Sequence, residues 1–345
     1  MLTMLNASNQ VKKLLWAWPA KCLLALLILS SCDEDKLGKP GFTGSSGELL
    51  IVCEDNIWFD IQDSVEVWLQ PNYPMLPQQE ALFRVAHFTN SQMNDLLRRH
   101  RNILNIARSN KQESSFKLYS ERNSKEQVYL DLSAYDSQEI LSLLKEKKDQ
   151  IISILKSEER KRLEAAYAKQ LSNDIDIHLE KNFGLSLNIP VGASIAKSTD
   201  NFCWIKRERE KSVGATSHFI YQGIAIYIRP YINDDQFTDS ALVADRNFYL
   251  GANIPGPKPG TQMSTQTFIT PIHERILFDS KFAVESRGLW RTTNSFMGGP
   301  YVAITTLDPS GKNIVTVEGF VHAPKFDKRE YVKELEAMIY SLRFR

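Results

Sequence analysis

A strong excess of charge of one sign is missing from this 345-residue chain, which sets 42 lysines and arginines against 41 aspartates and glutamates. Nucleic-acid binders ordinarily present a strongly basic face, so that class of partner has no electrostatic support. Histidine is sparse: His87, His100, His178, His218, His273 and His322 are scattered, and none stands at a metal-ligand spacing from another His, a Cys or a carboxylate. His273-Glu274 lacks the second histidine of a metalloprotease helix, a structural zinc site is not expected, and no cofactor is implied. Gly44-Ser-Ser-Gly47 is one residue short of a nucleophile elbow, and Pro255 to Gly260 lacks the Lys-Ser/Thr pair of a phosphate loop. No spacing nominates a catalytic carboxylate pair. A long apolar run is absent from the N-terminal region as well. Cys22 to Leu29 falls well short of the roughly 20 residues of a bilayer span, and extending it back to Leu14 crosses Lys21 and Pro19.

What the first 31 residues do have is an order. They contain no Asp or Glu, carry Lys12, Lys13 and Lys21, and then turn apolar, which is the pattern of a secretory signal. Leu29-Ser30-Ser31-Cys32 resembles the bacterial lipobox, in which small residues admit a narrow protease site and the cysteine sulfur receives the lipid. The expectation is a signal peptide over residues 1–31 and a lipidated Cys32, held to the membrane by two or three acyl chains because one alone anchors only marginally. Asp33-Glu34-Asp35 is similar to the acidic tag that sends lipoproteins of Bacteroidetes-type bacteria to the outer face of the outer membrane, although no spacer separates it from Cys32. An outer-membrane location is expected, with the leaflet left open. Loss of the three lysines of residues 1–31 takes the formal charge from +1 to −2.

Cys53 and Cys203 lie in apolar, strand-like runs where a thiol behaves as a small hydrophobe. Two free thiols are the expectation, and a disulfide between them is the alternative. Length allows one large or two modest domains. Residues 32–46, with Gly and Pro and no apolar periodicity, read as a flexible tether, followed by folded halves over 47–183 and 184–345.

The predicted class is α+β, a mixed α/β layout with a strand-helix N-terminal half, a long central helical segment, and a mainly antiparallel C-terminal half closed by a helix. Glu48 to Cys53 reads as a strand covered on both faces, Ile61 to Leu69 as a short helix or strand, and Leu82 to Phe88 as a strand. A helix capped by Thr89 or Asn90 would carry Met93, Leu96, Leu97, Ile103 and Ile106, and Tyr129 to Leu132 forms another strand. Ser137 to about Phe183 is helical in pattern, with a break expected near Lys156-Ser157 and a stop at Gly184. The charge runs Lys145 to Asp149 and Glu158 to Arg162 read as solvated faces. Beyond Leu185 strands dominate, with a helix over Asp239 to Leu250, a turn at Asp308 to Gly311, and a last helix signalled by capping-box spacing of Asp327 and Glu330.

One stretch invites a functional reading. Arg287 to Pro300 carries Arg287, Trp290, Arg291 and Phe296 among polar residues, and Gly298 and Gly299 would let a ligand approach the backbone. The competing reading is a packed tryptophan beside a tight glycine turn. Gly47 to Val52 (GELLIV), Gly298 to Val302 (GGPYV) and Glu318 to Leu342 together resemble family 4837 of domains of unknown function, a group of Bacteroidetes-type envelope lipoproteins. The resemblance implies an envelope location and no known catalytic residues. A lipid-anchored binding or scaffolding protein is therefore expected, its partners the membrane through Cys32 and an envelope protein or glycan. An anchored hydrolase whose site is assembled only by folding is the alternative.

Overall fold

The computed structural model describes residues 38–111 and 113–345, so the expected signal peptide, Cys32 and the first part of the expected tether lie outside the described residues. Order begins earlier than Gly47. Thr43 pairs with the segment before the third strand, its N–H donating to Arg99 O (3.0 Å) and its carbonyl accepting from Arg101 N (3.0 Å). Phe42 lies under the guanidinium groups of Arg101 and Arg162. The stretch read as tether is thus packed from Phe42 onward, because its Ser and Gly residues make backbone and hydroxyl contacts that composition alone does not reveal.

Strand β1 (Glu48–Val52) is an interior strand of a five-stranded sheet of order β2-β1-β3-β5-β4, in which β1, β2 (Arg84–Phe88), β3 (Asn102–Arg108) and β5 (Val128–Ala134) run parallel and β4 (Ser115–Ser120) is antiparallel to β5 at the edge. Its unbroken apolar run reflects burial on both faces: Leu49 and Ile51 enter the main core, while Leu50 and Val52 enter a smaller cluster with Ile103. Helix α1 (Asp55–Leu69) buries Ile57, Ile61, Val65 and Leu69 in the main core.

The helix expected across Met93 to Ile106 is replaced by a 3-10 turn at Asn90–Gln92, a one-turn helix α2 (Asp95–Arg98) capped by Asn94, and β3. Ile103 and Leu104 are adjacent and face opposite clusters, a two-sided burial that a helical stripe cannot supply. The long helix α3 (Ser137–Ala168) runs through Ser157, and the break falls before α4 (Asn173–Phe183), which ends on Gly184 in the left-handed region (φ 63°). Continuity past Ser157 has a cause. Glu159 and Arg162, read as solvated, are buried one turn later in an ion cluster with Arg101 (Glu159 Oε1 to Arg101 Nε 2.8 Å, to Arg162 2.7 Å).

The C-terminal half is an antiparallel sheet in the order β10 (Met263–Thr265), β12 (Lys281–Thr292), β13 (Gly298–Leu307), β14 (Asn313–His322), β9 (Thr216–Pro230), β8 (Phe202–Val213) and β7 (Ala193–Ser198), with β11 (Ile272–Phe278) also paired to β12. Two short strands, β6 (Leu185–Ser186) and β15 (Arg343–Phe344), pair separately. Alternation along the large sheet sends Val302, Ile304, Val315 and Val317 into the main core beneath α6 (Arg329–Tyr340), and Phe202, Tyr227, Trp290, Tyr301 and Phe320 into a second core on the opposite face with Leu250 of α5 (Asp239–Asn253). Residues 41–345 form a single unit with a shared main core.

The two halves meet at α6. Its capping box does not form: Lys328 is the N-cap, and the N–H groups of Lys328 and Arg329 donate to the carboxylate of Glu80, at 2.6 and 2.9 Å. A cap from a residue some 250 positions away is invisible to a local spacing rule. Tyr73 donates to Glu336 of α6, which also pairs with Arg287 of β12 at 2.6 Å. Cys53, just after β1, and Cys203, in β8, are free, buried thiols, so the alternative of a bridge is not realised. Among the described residues no helix is long and apolar enough to cross a membrane.

Candidate ligand-binding cleft

The hairpin between β12 and β13 is the stretch that drew attention in the sequence, and the structure sorts its residues. Arg287 leaves the candidate set. It is buried in the body of β12, its Nε 2.6 Å from Glu285 Oε1 and a terminal nitrogen 2.6 Å from Glu336, where it fastens sheet to helix rather than meeting a ligand. The carboxylates around it draw its pKa well above the ordinary arginine range against the effect of burial. Trp290 is also core: it is 2 % exposed, its indole N–H donates to Val321 O (3.2 Å), and its ring meets Phe320 and His322 edge-on.

Arg291, Phe296, Gly298 and Gly299 line a cleft of about 490 Å³ together with the edge of Trp290. Small-molecule sites commonly measure about 300–1,000 Å³. Its walls come from the hairpin, from Gln266 and Phe268 after β10, from His322 at the end of β14 and Pro324 after it, from Lys328 at the start of α6, and from Pro77 and Gln78 of the N-terminal half. Phe296 at the hairpin tip and Phe268 are both largely solvent-exposed rings, at 108 % and 75 %.

The two glycines line the cleft and also have a packing role. A Cβ on Gly298 would stand 2.5 Å from Trp290 O, and one on Gly299 would stand 2.0 Å from Val321 O. Close strand packing therefore excludes any side chain there, whether or not a ligand is bound.

The polar character of the cleft is cationic. Lys328 donates from Nζ to Gln78 Oε1 (3.0 Å) and Phe326 O (2.8 Å), and burial pushes its pKa below the ordinary lysine range despite Glu80 nearby. His322 donates from Nδ1 to Gly298 O at 2.9 Å. No Asp or Glu is among the lining residues. The buried carboxylates lie elsewhere and are tied to arginines, Glu318 to Arg246 at 2.7 Å and Glu336 to Arg287. Glu159 and Glu336 border a second cavity between α3 and α6, but its roughly 10 Å³ has room for about one water. Among the described residues no cluster of His, Cys, Asp and Glu could hold a metal ion.

Lys328, Gln78, Gln266, Phe268 and His322 escaped the sequence reading. They stand on four separate segments with no shared spacing.

The C-terminal half matches a known family over residues 172–341, "Domain of unknown function (DUF4837)". These residues belong to the DUF4837 family. Residues 43–168 match a different family, "Domain of unknown function (DUF8532)", so the first of the three resembling stretches, Gly47 to Val52, falls outside the DUF4837 region. The junction between the two matches coincides with the end of α3 at Ala168. The cleft draws most of its wall from the DUF4837 region and Pro77 and Gln78 from the other. No curated protein matches the chain. Solved structures with some similarity include a mutant of the protein Mog1, at 9 % identity over 47 % of this chain and 90 % of that one with a TM-score of 0.28. Another is a Bacteroides thetaiotaomicron protein, at 12 % identity over 47 % of this chain and 45 % of that one with a TM-score of 0.20. Scores this low carry no argument about the fold.

Proposed function

We propose that the protein is a lipid-anchored component of the cell envelope, placed at the outer membrane through Cys32, that binds a ligand in the cleft beside the β12–β13 hairpin without transforming it. The observation that carries the reading is the cleft itself: about 490 Å³, flanked by two exposed phenylalanine rings, with cationic and amide groups in its wall. Phe42 is ten positions after Cys32, so a lipid on Cys32 would lie within about 35 Å of that residue even at full extension.

Photo-crosslinking in cells tests the binding claim. Benzoylphenylalanine placed at Phe296 is expected to capture a discrete adduct that the same group at Phe248, exposed on α5, does not; equal labelling at both positions, or none at either, would remove the cleft as a binding site. The anchor is tested separately by metabolic labelling with an alkyne analogue of palmitate. Label is expected on the native chain and not on Cys32→Ala.

A further inference from the structure

One side chain in the cleft lacks what its counterparts have. Arg101 and Arg162 share Glu159, Arg246 takes Glu318, Arg287 takes Glu285 and Glu336, and Arg329 takes Glu330, so each fully buried arginine among the described residues has a carboxylate. Arg291 is half-buried, its Nε is shielded from solvent without an acceptor, and among the described residues no ion pair reaches its guanidinium. A shielded donor left unmade is costly. The planar fork of five donors matches a carboxylate or phosphate in a way that a neutral group cannot.

The surroundings agree with an anion at that position. Two of the three hydrogens on Lys328 Nζ are engaged with Gln78 and Phe326, which leaves one for a ligand. The side-chain amides of Gln78 and Gln266 add neutral donors to the wall, no carboxylate lines it, and the carboxylates that act on Lys328, Glu80 and Asp327, lie outside it. The exposed rings of Phe268 and Phe296 offer apolar surface at the mouth. We infer that the cleft takes a small amphipathic oxyanion, a carboxylate or phosphate whose charged end docks on Arg291 with Lys328 in support, and whose apolar body lies against Phe268 and Phe296. This inference rests on the binding reading above and adds the chemical class of its ligand.

Equilibrium dialysis of the full chain in phosphatidylcholine nanodiscs, with phenylacetate, phenyl phosphate and neutral phenylacetamide as matched probes, tests it. At least one anion is expected to bind saturably and about tenfold or more tighter than the amide, as a charge-assisted contact implies; the stronger of the two identifies the oxyanion. Arg291→Gln is expected to erase that preference and Arg291→Lys to restore part of it. Neither should lower the melting temperature, since Arg291 holds no other group in place. Saturable binding that is equal for anion and amide, or a preference that survives Arg291→Gln, would overturn the oxyanion assignment while leaving the cleft a binding site. Failure of all three probes to bind would overturn it too, and the crosslink at Phe296 would then judge the cleft independently.

Discussion

Replacing Glu159 by glutamine removes a negative charge and almost no volume at the point where the N-terminal strap, β3 and α3 meet. Its Oε1 lies 2.7 Å from Arg162 and 2.8 Å from Arg101 and accepts from Asn102 Nδ2 at 2.9 Å, while Oε2 accepts from Ser46 Oγ at 3.0 Å and Gly47 N at 3.3 Å. Glutamine keeps one acceptor oxygen but leaves two buried guanidinium groups without their counter-charge. Breaking a buried pair in this way costs about 3–5 kcal/mol, against a total stability of about 5–15 kcal/mol for an ordinary domain. Burial alone would raise the Glu159 pKa, but Arg101 and Arg162 hold it below the ordinary carboxylate range. A carboxyl depressed in the folded state stabilises fully above its unfolded value and loses that contribution as pH falls through the folded value. Urea unfolding of the native chain and Glu159→Gln should therefore show a gap of about 3–5 kcal/mol at neutral pH, narrowing below about pH 4.5, where the unfolded chain's carboxyl protonates first, and levelling once the folded one does. A gap under about 1 kcal/mol at neutral pH, the scale of an exposed pair, would refute the buried-cluster argument. So would one that stays constant on further acidification.

Glu80→Ala should lower stability by about 1–2 kcal/mol through loss of the cap on α6, whereas Asp327→Ala should change it little; the reverse order in urea midpoints would restore the local capping box. Gly299→Ala places a Cβ 2.0 Å from a backbone oxygen that cannot swing aside, so a loss of at least about 1–3 kcal/mol is expected, while Gly41→Ala, with nothing within 4 Å, should be neutral in the same melts. Burial pushes the Cys53 thiol up to about 12 and the Cys203 thiol up to about 11. Alkylation at pH 8 followed by peptide mass spectrometry should find both unmodified until denaturant is added, and rapid native labelling of either would show that the strand is open to solvent.

Elements whose signals are local were legible from the sequence. The apolar run of β1, the alternation of β5, the heptad-like stripe of α3 and the glycine that ends α4 each depend on residues within one element. Errors arose where a distant partner decides. Glu158 to Arg162 has the composition of a solvated helix face, yet Glu159 and Arg162 are buried because Arg101 and Asn102 reach them from β3 and the residue before it. Ile103 and Ile106 fit a helical stripe begun at Met93, and only the neighbouring strands β1 and β5 make them a strand. The capping signal at Asp327 was outcompeted by Glu80, whose carboxylate takes two N–H groups at once.

The cleft shows the same division at finer scale. Gly298-Gly299 beside Trp290 is conspicuous in sequence, but the conspicuous residues turn out to be those the sheet itself constrains: Trp290 by its bond to Val321, the glycines by the backbone oxygens they would strike. The residue left free to meet a ligand is Arg291, and what distinguishes it is the absence of an acceptor, a property of surrounding space that no spacing rule encodes. An arginine nitrogen shielded from water without an acceptor is unfavourable unless something else supplies one. The same reasoning that makes Glu159 a structural residue, because its arginines surround it, makes Arg291 a binding residue, because no carboxylate does. A variant that supplied the missing partner from within, Gln266→Glu in the cleft wall beside β12, should therefore raise thermal stability slightly and weaken binding of phenylacetate or phenyl phosphate. Unchanged affinity in that variant would mean that the guanidinium does not receive the anion.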